Sequence, residues 1–290
     1  MTAPSIERNI VYGMYSGLAL LMDVYRPGTA NGFGILFVGG SGWTASLAWD
    51  EPGLKDKELQ KRDWLPPLLD AGYTVFSVNH RALPRFAYPA ALEDVQRALR
   101  FVRCHARDYG LHGDRIGGVG GSSGAHLLSL TAMLGDRGSK DDPDPVGRED
   151  ATLQCLVLRA PPSDLRGMAL AGDREGSIYA LAFLDSHDAE APRDGAFYAA
   201  ASPISHVSSA APPTLLIHGD ADTIVPYSLS VEMDRVLRAA GAVSRLLTIP
   251  GGLHGPDFGA EGQPRADWPD YLGETVAWLD ERLQRPRQGP

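Results

Sequence analysis

Cysteine is scarce: the 290 residues hold two, Cys104 and Cys155, both inside apolar-periodic segments. Free buried thiols are therefore expected, and a disulfide framework is excluded. Positive charge is also short, with 27 Lys and Arg against 36 Asp and Glu and a formal net charge of −9. That balance argues against nucleic acid or an anionic membrane surface as partner, since both need clustered positive charge. No apolar run approaches the roughly 20 residues that span a bilayer. The opening "MTAPSIERN" lacks the basic start and apolar core of a signal peptide, so a cytoplasmic protein is expected. HExxH, paired CxxC and Walker A patterns are missing, so neither a metal nor a nucleotide cofactor is expected. The acidic cluster Asp141, Asp142 and Asp144 lacks the glycine and distal glutamate of a calcium loop and reads as a solvated turn.

What is present is an alternation. "IVYGMYSGLALLMDVYRP" reads as two β-rich runs joined at "YSG", a hairpin. Short apolar runs then alternate with helical patterns: "GFGILFVGG", "WLPPLLDAG", "YTVFSVNHR", "PAALEDVQRALRFVRCHA", and so on to "YLGETVAWLDERL". Such alternation implies βαβ units, hence a mostly parallel, doubly wound α/β sheet covered on both faces. The length suits one large domain over 1–290. From about Ser163 to His206 the alternation lapses, and a helix-like "GSIYALAFL" is followed by no strand. An insertion of that length between sheet strands is read as a cap, with Ile178, Tyr179, Leu181, Phe183 and Leu184 at helical spacing.

The stretch "GVGGSSGAHLL" places Ser122 and Ser123 between the apolar run "RIGGVG" and the helical "AHLLSLTAML". Gly120, Ser122 and Gly124 fit GxSxG, which alone is weak: with 33 glycines, about one such chain in four would show it by chance. A strand-to-helix turn is the setting of a nucleophile elbow, where positions two before and two after the serine must be very small. Ser122 has glycine at both. Ser123, flanked by Gly121 and Ala125, stays open on sterics. With Ser122 as nucleophile, the Ser123 N–H lies at a helix start, placed to donate to a developing oxyanion.

A serine hydroxyl needs a base, itself oriented by a third group. His254, in "IPGGLHGPDF", follows a predicted strand in a glycine-rich loop and is the candidate base. His218, at the end of the apolar "LLIH", reads as a packed structural residue, and His126, one turn after Ser122, as packing or indirect hydrogen bonding. His80, His105, His112, His187 and His206 have no partner the sequence identifies. In "HGDADTIVP", Asp220 follows the strand end directly, where aspartate commonly serves the turn. Asp222 lies farther out, where a loop could carry it to His254.

The elbow "GGSSGAHL", the acid loop "HGDADTIVP" and the late "LHG" resemble an α/β-hydrolase carboxylesterase of the hormone-sensitive-lipase-like and bacterial feruloyl-esterase-like group. "NHRALPRFAYPAALEDVQRALRFVR" and "ASPISHV" match it in the same order, so the resemblance covers nearly the whole chain. It implies Ser122, Asp222 and His254 as catalytic residues. The group's oxyanion loop, HGGGW, stands here as "VGGSGW": Val38 replaces the histidine, Ser41 the third glycine, and Trp43 comes one residue late. The implied oxyanion donors are the amides of Gly40, Ser41 and Ser123. The resemblance implies a cofactor-free serine hydrolase acting on a small or medium carboxylic ester through an acyl-enzyme. A peptidase, thioesterase or lactonase would use the same parts; the rivals are a non-catalytic ligand-binding protein on this fold, expected to lose a triad residue, and a lyase or transferase that redirects the same serine. Monomer and homodimer are both left open.

Overall fold

The computed structural model describes residues 3–48, 52–57, 64–169, 180, 182–184, 195–255, 257–259 and 265–284. Its centre is an eight-stranded sheet in the order β1-β2-β4-β3-β5-β6-β7-β8. The strands are β1 (Ser5–Tyr15), β2 (Leu18–Arg26), β3 (Gly34–Val38), β4 (Thr74–Val78), β5 (Ile116–Gly121), β6 (Leu156–Arg159), β7 (Thr214–Gly219) and β8 (Ser244–Ile249). The helices named below are α1 (Leu54–Lys57), α2 (Leu65–Asp70), α3 (Ala90–Cys104), α4 (Ser122–Leu134), α5 (Leu165–Ala169), α6 (Gly195–Ala200), α7 (Tyr227–Ala239) and α8 (Tyr271–Leu283).

β1 and β2 form the expected antiparallel hairpin, closed by Ser16 and Gly17 at φ 47° and 84°. Two successive left-handed residues make the turn whose twist suits a two-residue hairpin. β2 also runs antiparallel to β4, and from β4 across to β8 all pairs are parallel. β1 is the rim, with Ile6, Val11, Met14 and Tyr15 exposed and two register shifts, between Glu7 and Ile10 and between Val11 and Gly13.

The interior strands β3 to β7 are buried throughout, as continuous apolar runs between two helix layers must be. Alternate residues face opposite layers. Leu36 and Val38 pack with α3, α4, α5 and α7, while Ile35 and Phe37 pack with α2 and α8. α3 buries Ala91, Leu92, Val95, Ala98, Leu99 and Val102, a stripe at three- and four-residue spacing. α4 is buried nearly all round, from Ser123 to Met133. Buried Arg81, just past β4, clasps Asp94 of α3 through its own amide at 2.6 Å and its Nε at 2.9 Å.

Some local expectations change. Cys155 is buried, but Cys104 at the end of α3 is only half-buried, and both thiols are free. Asp144 is not merely solvated: its carboxylate accepts from Arg97 Nη2 at 2.7 Å and from the Val146 amide. In the 163–206 segment, Ile178, Tyr179, Leu181 and His187 lie outside the described residues. Phe183 and Leu184 are buried, and Phe183 stacks on Trp43 at 4.6 Å. Among the described residues no helix is long and apolar enough to cross a membrane.

Candidate active site

All the candidate residues lie at the carboxyl end of the parallel strands, the edge where open α/β sheets bind ligands. Ser122 is the first residue of α4 and has φ 49°. A left-handed non-glycine residue is uncommon and is kept only where its surroundings over-determine it. A Cβ at Gly124 would lie 2.1 Å from the Val38 carbonyl oxygen, and one at Gly120 would lie 2.7 Å from the same atom. The two flanking glycines are thus required chiefly by the end of β3, more than by each other. The N-cap residue of α4, Gly121, has no side chain with which to cap it.

Ser122 Oγ lies 3.0 Å from His254 Nε2, and His254 Nδ1 lies 2.7 Å from Asp222 Oδ2. Asp222 is buried and receives four donors. Oδ1 accepts the amides of Ile224 and Val225 at 2.8 and 2.9 Å, and Oδ2 accepts His254 and His218. Burial alone would raise this carboxyl, but hydrogen bonds from His218 and His254 outweigh it and hold the group well below the usual range.

His218, read from the sequence as packing, therefore contacts the acid directly. Its Nε2 faces Asp222 Oδ2 at 3.0 Å and the Val225 carbonyl at 3.1 Å, so Nε2 carries the proton. Its Nδ1 then accepts from Ser230 Oγ at 2.7 Å. The spacing His218–Asp222 across one turn was the available signal. Asp220 instead accepts the Gly251 amide at 2.6 Å and so ties the acid loop to the histidine loop. Beyond His254, the Gly255 carbonyl accepts from Nη1 of buried Arg159 at 2.8 Å. No local pattern marks Arg159.

The loop after β3 approaches the elbow closely. A Cβ at Gly40 would sit 3.0 Å from both the Gly121 carbonyl oxygen and Ser122 Cβ. The Ser41 amide, expected in the oxyanion hole, instead donates to Ser123 Oγ at 2.9 Å. The Ser41 carbonyl accepts from Thr44 N and Oγ1. Trp43 Nε1 donates to His126 Nδ1 at 3.2 Å, and His126 Nε2 lies 2.8 Å from the Ala201 carbonyl. Burial pushes the His126 imidazole down to about 4, only partly opposed by the Ala201 carbonyl, so it is neutral at pH 7.

The other histidines among the described residues stay apart from this cluster. His105 pairs at the surface with Asp108, a partner the sequence did not reveal, His112 packs on Phe33, and His206 meets the Ala200 carbonyl. His80 is buried against the Arg81 carbonyl.

Sheet order, elbow and strand-end cluster together define an α/β-hydrolase. More specifically, residues 22–237 match the BD-FAE family model, and the chain belongs to that family. It is 30% identical over 265 residues to esterase LipQ of Mycobacterium tuberculosis (strain ATCC 25618 / H37Rv), covering 89% of this chain and 59% of that protein. A solved acetyl ester-xyloside bifunctional hydrolase from Caldicellulosiruptor lactoaceticus is similar with a TM-score of 0.77 and 25% identity, over 94% of this chain and 95% of the other. A truncated carbohydrate esterase from gut microbiota gives a TM-score of 0.75 and 26% identity over 97% of each chain. The chain spans 49% to 62% of the length of the first three curated relatives it matches.

Proposed function

We propose that the protein is a cofactor-free serine hydrolase of carboxylic esters with small to medium acyl groups. The observation that carries this reading is the continuous relay from Ser122 Oγ through His254 to Asp222, at 3.0 and 2.7 Å, on a left-handed elbow. Ser122 attacks the ester carbonyl carbon while His254 Nε2 takes its proton. Asp222 holds the imidazole in the Nδ1–H tautomer and stabilises the imidazolium. The protonated His254 then gives its proton to the departing alkoxide. Water, deprotonated by the same imidazole, attacks the acyl carbon, and as the bond to Ser122 Oγ breaks, His254 returns the proton to that oxygen and the acid is released.

The oxyanion is assigned to the amides of Gly40 and Ser123. In support, Gly40 lies against Ser122, and Ser123 is in the first turn of α4, whose N-cap is a glycine. The Ser41 amide is assigned to holding the loop through Ser123 Oγ. Phe183, stacked on Trp43 beside the elbow, supports the segment at about 163–206 as a cap limiting acyl length. The two free cysteines suit a reducing, cytoplasmic setting. The whole chain is assigned one hydrolase domain, acting as a monomer or homodimer on small-molecule esters.

The test is fluorophosphonate labelling beside turnover of acetyl through palmitoyl esters, with matched amides and thioesters. Labelling at Ser122, its loss in Ser122→Ala, and fastest turnover of short acyl esters are expected. Labelling without ester turnover would move the protein to a binding or redirected role. Faster amide than ester cleavage would make it a peptidase.

A further inference from the structure

The loop that carries Gly40 against Ser122 turns through two consecutive left-handed residues, Gly42 at φ 62° and Trp43 at φ 58°. Glycine adopts that conformation freely; a bulky tryptophan does not, and it stays there only if its side chain is gripped. Trp43 is fully buried. Its ring lies nearly parallel to Phe183, at 18° and 4.6 Å, and edge-on to His126 at 5.2 Å. Its only polar side-chain atom donates to His126 Nδ1 at 3.2 Å.

His126 is fully buried and rides on α4, four residues after Ser122. Indole N–H can only donate and a carbonyl can only accept, so its partners fix the tautomer: Nδ1 accepts from Trp43 and Nε2–H donates to Ala201. One rigid helix thus carries both the nucleophile and the acceptor that grips the oxyanion loop.

The geometry points to His126 as a positioning residue that, by holding Trp43 in its left-handed turn, sets the Gly40 amide against Ser122. This rests on the proposed roles of Ser122 and Gly40. It assigns His126 a part in the rate of the reaction in addition to packing.

Two amide substitutions separate the two halves of the imidazole. Asparagine places a carbonyl oxygen where Nδ1 stood, so His126→Asn keeps the Trp43 bond and loses the Ala201 bond. Glutamine reaches the Nε2 position, so His126→Gln does the reverse. Trp43→Phe keeps the aromatic stack and removes only the donor. The readouts are kcat and KM on p-nitrophenyl acetate, the rate of fluorophosphonate labelling, and Tm.

His126→Asn is expected to lower Tm yet hold kcat near the parent value. His126→Gln and Trp43→Phe are expected to lose about 10²-fold in kcat and in labelling rate, with KM little changed, because a misplaced donor costs the transition state. The double variant should be no slower than either single one, since both remove the same bond. Equal loss in His126→Asn and His126→Gln, rates that track Tm, or multiplying effects in the double variant would each overturn the assignment. If His126→Gln does not fold, a Trp43→Phe protein with parental kcat overturns it equally well. A parent protein that fails to label at Ser122 removes the underlying reading and this inference with it.

Discussion

At the β5–α4 turn, Ser122 is held by what cannot fit around it, whereas past β7 and β8 Asp222 and His254 are held by hydrogen bonds, Asp222 mainly by near neighbours in the chain and His254 across the fold. The first region depends on the missing side chains of Gly120 and Gly124, each of which would collide with the Val38 carbonyl. The second depends on bonds that are present: Asp222 accepts four donors, Asp220 binds Gly251 and Arg159 binds Gly255. A sterically specified turn tolerates no substitution but needs no partners. A hydrogen-bonded loop tolerates changes of size but fails when one partner changes its donor or acceptor character.

The largest expected effect falls in the hydrogen-bonded region. Asp222→Asn should lower kcat on the order of 10⁴-fold, because an amide stabilises the wrong imidazole tautomer. Both carboxylate oxygens already face donors, so whichever way the new NH2 turns it meets one, and Tm should fall modestly while circular dichroism stays native. An unfolded variant would erase the distinction between the regions.

Gly124→Ala probes the other region. Its Cβ would sit 2.1 Å from a backbone oxygen, so β3 or α4 must shift, and a destabilisation of about 3 kcal/mol is expected by denaturant titration. A variant with parental stability and a merely slower rate would show the elbow to be softer than its contacts imply.

Acid sharpens the comparison a third way. The folded His126 titrates near 4 against an ordinary 6.5, so between those values the unfolded chain binds a proton that the folded chain does not. Stability therefore rises with pH across this window and is lost as pH falls through it, by roughly 3 kcal/mol at most. Asp222 acts lower: its contribution is whole above the ordinary carboxylate range and is lost only as pH drops below it. Denaturant midpoints measured at intervals from pH 7 to 4 should fall with pH, and His126→Asn should make that slope shallower, leaving the smaller part due to buried His80.

The same contrast explains what could be read from the sequence. Strands buried on both faces announce themselves as apolar runs, and an elbow announces itself through glycine at fixed spacing, because both are local constraints on residue type. Ser122, Asp222 and His254 could be nominated because each sits at a strand end in a small-residue loop, and the structure brings the three together. His218 looked like core because a buried histidine bonding an aspartate has the same sequence neighbourhood as one that merely packs. Arg159 and the Trp43–His126–Ala201 chain depend on partners 75 to 96 residues apart, and nothing local records them. The bond made by the Ser41 amide is equally silent in the sequence: its acceptor, the Ser123 hydroxyl, lies 82 residues away.

At the sheet's rim the concern is self-association. β1 is eleven residues long, open along one side, and displays Ile6, Val11, Met14 and Tyr15, the profile of a template on which another extended chain could add. Its two register shifts, with Asn9 left-handed at φ 59° inside the first, divide the outward row of amides and carbonyls into short pieces. Arg8 beside them is engaged by Asp23 of β2, which keeps a charge at the broken edge. Irregularity in the hairpin thus works as protection: an incoming strand finds no uninterrupted ladder along the apolar rim.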